Sequence, residues 1–267
     1  MIFSVTTMGT ASAMPISDRN PSAQMLTANG RLFLIDCGEG TQQQMRRCHF
    51  SFVKVEAIFI SHIHGDHLFG LFGLLNSMAM YGRSAALDIY GPQALGGVLN
   101  FYRSYFGNDD LFELRFHALK SDGLELIHNS KHLTVSAFPL NHKIDCYGFR
   151  FDETVTERHR QENPDYRGKS YAYCSDTAPF PELSGYVKGV SCMYHEATYM
   201  SDMADKAAAR FHSTGAQAAA CAREAGAGKL IIGHYSSRIN DIGALLAECR
   251  EVFPDTVAAS DCDVFEF

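Results

Sequence analysis

The chain has 267 residues, 46% of them hydrophobic and 20% charged, which suits a globular protein with a sizeable core. A formal net charge of −7 excludes a surface that attracts nucleic acid as a whole, so any RNA would have to be held by a local basic patch. No apolar run approaches the roughly 20 residues of a membrane helix, and the scattered cysteines form no CxxC pair, which argues for a reducing compartment and against a cysteine zinc site.

In chain order, MIFSVTTMGTASAMP lacks the basic start and long apolar core of a signal peptide and reads as a strand followed by a loop. RLFLIDCG and VEAIFIS are the next strand-like runs, with a helical pattern in GTQQQMRR between them. The run GDHLFGLFGLLNSMAMYG carries Leu and Phe at helical spacing. Further strands are expected at LDIYG, LTVSAFPL, YGFRF, SYAYCSD, VSCMYHEA, KLIIGHY and DVFEF. STGAQAAACAREAGAG has Ser213 or Thr214 as a helix cap and glycines at its end, and NDIGALLAECREVF has Asp241 before it and Pro254 after it. No repeat, low-complexity tract or linker interrupts the chain. Strands grouped in each half with helices between them predict two facing sheets covered by helices, an αββα sandwich formed by residues 1–267 as one domain.

The chemistry concentrates in IFISHIHGDH, residues 58–67. A buried strand ends there in His62, His64, Asp66 and His67, which a strand-end loop can fold around a small volume. Neutral imidazole and carboxylate are the ligands of open hydrolytic zinc sites. One cation cannot easily use all four groups from so short a loop, whereas two cations about 3.5–4 Å apart could. Three further candidates follow strand-like runs: His142 in PLNHK, Asp176 in YCSDT and His234 in IIGHYSS. Each alone reads more readily as a cap or a satisfied polar group; together with the cluster they point to metal binding. Glu196 in HEATY and His212 in RFHSTG could pair as a carboxylate-oriented proton donor.

SHIHGDH matches the HxHxDH signature of the metallo-β-lactamase superfamily. DCGEGTQ, PLNH, SDT, HEATY, HST and GHYSSR, in this order over nearly the whole length, resemble the ribonuclease Z branch, whose members trim the 3′ trailer from precursor tRNA. The resemblance implies an αββα fold of metallo-β-lactamase type and two zinc ions per chain, with manganese or iron as alternatives. One zinc would be held by His62, His64 and His142, the other by Asp66, His67 and His234, with Asp176 between them. It further implies Asp66 as acceptor of the attacking water's proton and His212, oriented by Glu196, as donor to the leaving 3′ oxygen. The products would be a tRNA 3′-hydroxyl and a 5′-phosphorylated trailer. A homodimer is implied as well, with Arg19, Asn20, Ser236 and Arg238 touching substrate.

The chain departs from that family in two places. Residues 143–175, where relatives carry a long Gly- and Pro-rich arm, are short and mix basic Lys143, Arg150, Arg158, Arg160, Arg167 and Lys169 with as many acidic residues. PISDRN lacks the lysine that relatives often carry in that loop. Both remove phosphate contacts, the source of most nucleic-acid affinity. A hydrolase of small phosphodiesters or other esters is therefore the main alternative, and a non-catalytic metal-binding module a third.

Overall fold

The computed structural model describes residues 3–106, 112–120 and 122–267, the side chain of Arg158 excepted. The first sheet contains β1 (Phe3–Gly9), β2 (Ala23–Ala28), β3 (Arg31–Ile35), β4 (Val55–Phe59), β5 (Leu87–Pro92) and β6 (Leu114–Leu119) in sequential order. The second contains β7 (Glu125–Asn129), β8 (Leu133–Pro139), β9 (Tyr147–Glu153), β10 (Ser170–Cys174), β11 (Cys192–Glu196), β12 (Leu230–Gly233) and β13 (Thr256–Ala258). The chain then returns to the first sheet, where β14 (Val264–Glu266) pairs antiparallel with β1.

Helices cover both outer faces. The first sheet carries α1 (Thr41–Arg47), α2 (Gly65–Leu68), α3 (Leu71–Met80) and α4 (Gln93–Phe106). The second half contains α5 (Glu157–Glu162), α6 (Leu183–Tyr186), α7 (Ala204–Ala209), α8 (Gly215–Ala225) and α9 (Ile242–Val252). The expected αββα sandwich is thus the observed architecture.

The side-chain alternation of the strands explains the layers. Phe33, Ile35, Ala57 and Phe59 face Phe149, Phe151, Tyr171 and Tyr173 between the sheets. Their neighbours Leu34 and Ile58 pack outward against Leu71, Leu74 and Met78 of α3. Ala172, Cys174 and Met193 pack outward against Leu183, Ala222 and Leu245. Because both faces of the central strands are buried, their sequences read as continuous apolar runs rather than alternating ones. At about 25 cal/mol per Å² of apolar area removed from water, these three layers are the main driving force for the fold.

The helix expected at residues 65–82 and four strands depart from the expected elements, whereas the cap of α8 is one of the two residues expected there. The helical pattern at residues 65–82 is two helices, because the Gly70 amide donates to the Cys37 carbonyl (2.9 Å) instead of continuing the helix. A Cβ on Gly70 would lie 2.0 Å from the Gly38 carbonyl oxygen, so only glycine permits that approach. The cap of α8 is Thr214, in a reciprocal capping box with Gln217, and Gly226 ends the helix in the left-handed region. Strands β2, β6, β7 and β13 lie outside the expected runs. The 143–175 segment is β9, the short α5 and β10; Arg150 within it is held by Asp152 and the carbonyls of Tyr186 and Lys188.

Candidate metal centre

Strands β3, β4 and β5 run parallel, as do β10, β11 and β12, and the loops leaving their C-terminal ends meet at one edge of the sandwich. Ligand sites of α/β sheets form at such strand ends, where chain from several strands can converge. His62, His64, Asp66 and His67 follow β4; Asp176 follows β10; Glu196 ends β11; His234 follows β12. The antiparallel β8 delivers His142 to the same place.

The donor atoms form two sets. His62 Nε2 lies 3.0 Å from His64 Nδ1, and His142 Nε2 lies 3.3 Å from the same atom. Asp176 Oδ2 approaches His62 Nε2 at 3.7 Å and His142 Nε2 at 3.9 Å. In the second set His67 Nε2 and His234 Nε2 are 3.2 Å apart, with Asp66 Oδ2 at 3.6 and 3.3 Å from them. Asp176 Oδ1 faces this set, 3.4 Å from His67 Nε2 and 3.2 Å from His234 Nε2. One carboxylate thus turns an oxygen to each set.

Two observations indicate that this arrangement suits cations rather than internal hydrogen bonds. Asp176 Oδ1 is buried and makes no well-aligned hydrogen bond despite its close nitrogens. Four imidazoles also have their other nitrogen engaged, which fixes the tautomer that leaves Nε2 facing inward. His67 Nδ1 donates to Asp36 Oδ2 (2.8 Å), His142 Nδ1 to the Phe211 carbonyl (3.0 Å) and His234 Nδ1 to Thr198 Oγ1 (2.9 Å). His62 Nδ1 donates to Ser61 Oγ (3.0 Å), whose own hydroxyl donates to Asp36 Oδ2 (2.8 Å). The tetrad His62, His64, His142 and Asp176 and the triad Asp66, His67 and His234 each offer ligand atoms within 4.8 Å of one another. Imidazole and carboxylate in this number fit divalent zinc, manganese or iron.

Electrostatics agree. Burial, reinforced by neighbouring imidazoles, holds His62, His64 and His142 below the ordinary histidine range, so they are neutral, the form in which imidazole can bind a cation. Burial would do the same to His67, but the carboxylates of Asp176, Asp66 and Asp36 outweigh it and hold a proton there that a cation would displace. Burial opposes ionisation of Asp176, yet His234 and His67 carry its carboxyl well below the usual range.

A second device adjoins the centre. Glu196 is fully buried, its Oε1 accepting from His212 Nδ1 (2.8 Å) and Thr177 N (2.9 Å), its Oε2 from the Thr198 hydroxyl (2.5 Å). Burial lowers the His212 pKa, but the Glu196 charge and hydrogen bond overcome it and raise it to about 9. With Nδ1 committed, Nε2 is the nitrogen left for a substrate. His212, Ser236 and Arg238 line an open cleft of about 1020 Å³ above the donor sets, with Lys143, Lys206 and Arg210. Arg19 and Asn20 do not line it. Asn20 instead donates its backbone and side-chain amides to Asp261 Oδ2 (2.8 and 2.9 Å), and the Arg19 guanidinium lies 5.7 Å over the Tyr235 ring.

Two residues were not singled out by the sequence reading. Asp36 sits inside DCGEG, in the left-handed region (φ 55°), and gathers Ser61, His67 and the Tyr173 hydroxyl. Its motif was visible, and a carboxylate at a strand end was the available signal. Thr198 joins His234 to Glu196 and gave no signal beyond its place in HEATY.

The description "beta-lactamase superfamily domain" matches residues 31–235. Ribonuclease Z of Porphyromonas gingivalis is 35% identical and that of Bacteroides fragilis 33%, each aligned over 97% of this chain and 97% of its own length. Both alignments run over 295 positions, more than this chain's 267 residues, so these relatives contain residues that it lacks. The crystal structure of the short form of human tRNase Z superposes with a TM-score of 0.81 at 27% identity, covering 98% of both chains. The HxHxDH loop, the two donor sets sharing Asp176 and a likeness spanning the chain end to end together place it in the ribonuclease Z family of the beta-lactamase superfamily.

Proposed function

We propose that residues 1–267 form one metallo-β-lactamase-fold domain that acts as an endoribonuclease, removing the 3′ trailer from precursor tRNA to leave a 3′-hydroxyl. The observation that carries this reading is the pair of donor sets joined through Asp176 beside the Glu196–His212 dyad. Two zinc ions per chain are the proposed cofactors, one on His62, His64 and His142, the other on Asp66, His67 and His234, with Asp176 shared. Bound there, they would supply Lewis acidity that activates water and neutralises phosphoryl charge.

The chain's own residues do the rest. Asp66 is ionised, because His67 and His234 overcome the burial that opposes its charge, and it accepts the proton of the attacking water. The Ala13 amide fixes its Oδ2 (2.7 Å). His212 is protonated at neutral pH and donates from Nε2 to the leaving 3′ oxygen, while Glu196 holds the ring in place. Exposed Lys143, Lys206, Arg210 and Arg238 rim the cleft, and none of them has an ion-pair partner among the described residues. In a chain of net charge −7 they supply the local attraction that phosphates need. No described helix is long and apolar enough to cross a membrane, and a cytoplasmic homodimer is the proposed setting. The exposed Phe101, Tyr105 and Phe106 of α4 supply an apolar face for a second copy.

The short 143–175 segment, with Arg150 already neutralised by Asp152, favours hydrolysis of small phosphodiesters as the second reading. Incubating a precursor tRNA transcript with zinc-loaded protein and mapping both ends separates the two. A mature 3′-hydroxyl end and a 5′-phosphorylated trailer are expected. Intact RNA alongside hydrolysed nitrophenyl diester would overturn the tRNA assignment in favour of the second reading.

A further inference from the structure

Away from the cleft, Cys48 and Cys262 bring their sulfurs to 2.9 Å although 214 positions separate them in sequence. Cys48 follows the last turn of α1, and Cys262 lies in the left-handed region (φ 70°) of the turn before β14. Both are half-buried free thiols, whereas Cys37, Cys146, Cys174, Cys192 and Cys249 are buried. A disulfide bond is about 2.03–2.05 Å long, so joining these two sulfurs requires an approach of only about 1 Å.

The turn that carries Cys262 is anchored to the rim of the cleft. The adjacent Asp261 accepts from Thr10 Oγ1 (2.8 Å), from Asn20 N and Nδ2 (2.8 and 2.9 Å) and from Gln44 Nε2 (3.3 Å). The Cys262 amide donates to the Thr7 carbonyl (2.6 Å). The loop from Thr10 to Asn20 includes Ala13, whose amide holds Asp66.

We propose that Cys48 and Cys262 form a reversible disulfide that ties α1 to the C-terminal turn and so fixes the loop bearing Ala13. A low-molecular-weight disulfide such as oxidised glutathione is the oxidant. A thiolate of the pair attacks one of its sulfurs, the S–S bond breaks, and one glutathione thiolate leaves. The second cysteine, losing its proton, attacks the mixed disulfide and releases the other glutathione. The protein loses two electrons and two protons, and one oxidised glutathione becomes two thiols. Burial and the neighbouring Cys262 push the Cys48 thiol up to about 12, so closure accelerates as pH rises through the alkaline range.

The test treats the metal-loaded protein with oxidised glutathione, caps remaining thiols with N-ethylmaleimide and maps the digest by mass spectrometry. A peptide pair linked through Cys48 and Cys262, lighter by two hydrogens and released by dithiothreitol, is expected. Because the bridge closes a very long loop, it should also raise Tm by about 5–15 °C. Cys48→Ser and Cys262→Ser should each lose both the linkage and the Tm response while melting as the reduced protein does. Capped thiols at both positions, glutathione left on either one, or a Tm response that survives in both variants would each overturn the proposal.

Discussion

Replacing Glu196 by Gln removes the charge that sustains His212 as an acid while leaving its volume nearly unchanged. Glu196 accepts four hydrogen bonds, from His212, Thr177 N, Thr198 N and the Thr198 hydroxyl. The charge and hydrogen bond of Glu196 overcome burial and raise His212 from an ordinary 6.5 to about 9. The proton is therefore retained through neutral pH and lost as pH rises through about 9. Without the carboxylate, the loss moves back toward the ordinary range, because burial is then opposed only by the charge of Asp176. At pH 8 a group titrating near 9 is about 90% protonated, whereas one titrating near 6.5 is about 3% protonated. Glu196→Gln should then cut kcat for precursor tRNA by about 30-fold at pH 8, by less than about twofold near pH 6, and shift the alkaline limb down by about 2.5 pH units. A nitrophenyl diester, whose leaving group needs no proton, should lose far less. The profile of kcat against pH on both substrates measures this, with metal content checked by elemental analysis. A loss of the same size at every pH, or on both substrates alike, would show that Glu196 serves the fold or the metals rather than the acid.

The zinc-loaded protein should contain two divalent ions per chain, and His64→Ala, which removes the nitrogen lying between His62 and His142, should leave at most one tightly held; elemental analysis after zinc supply decides this. Asp36→Asn should weaken metal affinity by about 10–100-fold, since Asp36 orients both His67 and Ser61, and competition with a chromogenic chelator reads it directly. Arg210→Ala and Arg238→Ala should each lower the slope of log K for tRNA against log salt by about 0.7–0.9, with diester turnover unchanged; an unaltered slope in filter binding would place the phosphates elsewhere.

The cluster at residues 62–67 was legible because a contiguous strand and loop carry it, and local sequence dictates where such a strand ends. His142, Asp176 and His234 were legible for the same reason, each following a strand-like run; β10 and β12 are buried between a helix layer and the opposite sheet, whereas β8 alternates buried and half-buried residues. The sandwich itself followed from those runs, whereas β6 and β7 escaped because sheet-edge strands are half-exposed and lack a continuous apolar signature. What local sequence could not carry is which partner each polar atom finds. Arg19 and Asn20 read as substrate contacts, yet Asp261, 241 positions from Asn20, takes both amides of Asn20, because β14 brings the C-terminal turn back beside β1. Asp36 meets His67 across 31 positions and Tyr173 across 137, and Thr198 meets His234 across 36. The sequence by itself determined the kinds of donor and the strands that deliver them. For His67, His142 and His234, only the tertiary structure decided which nitrogen points inward, since that depends on hydrogen bonds to segments distant in the chain.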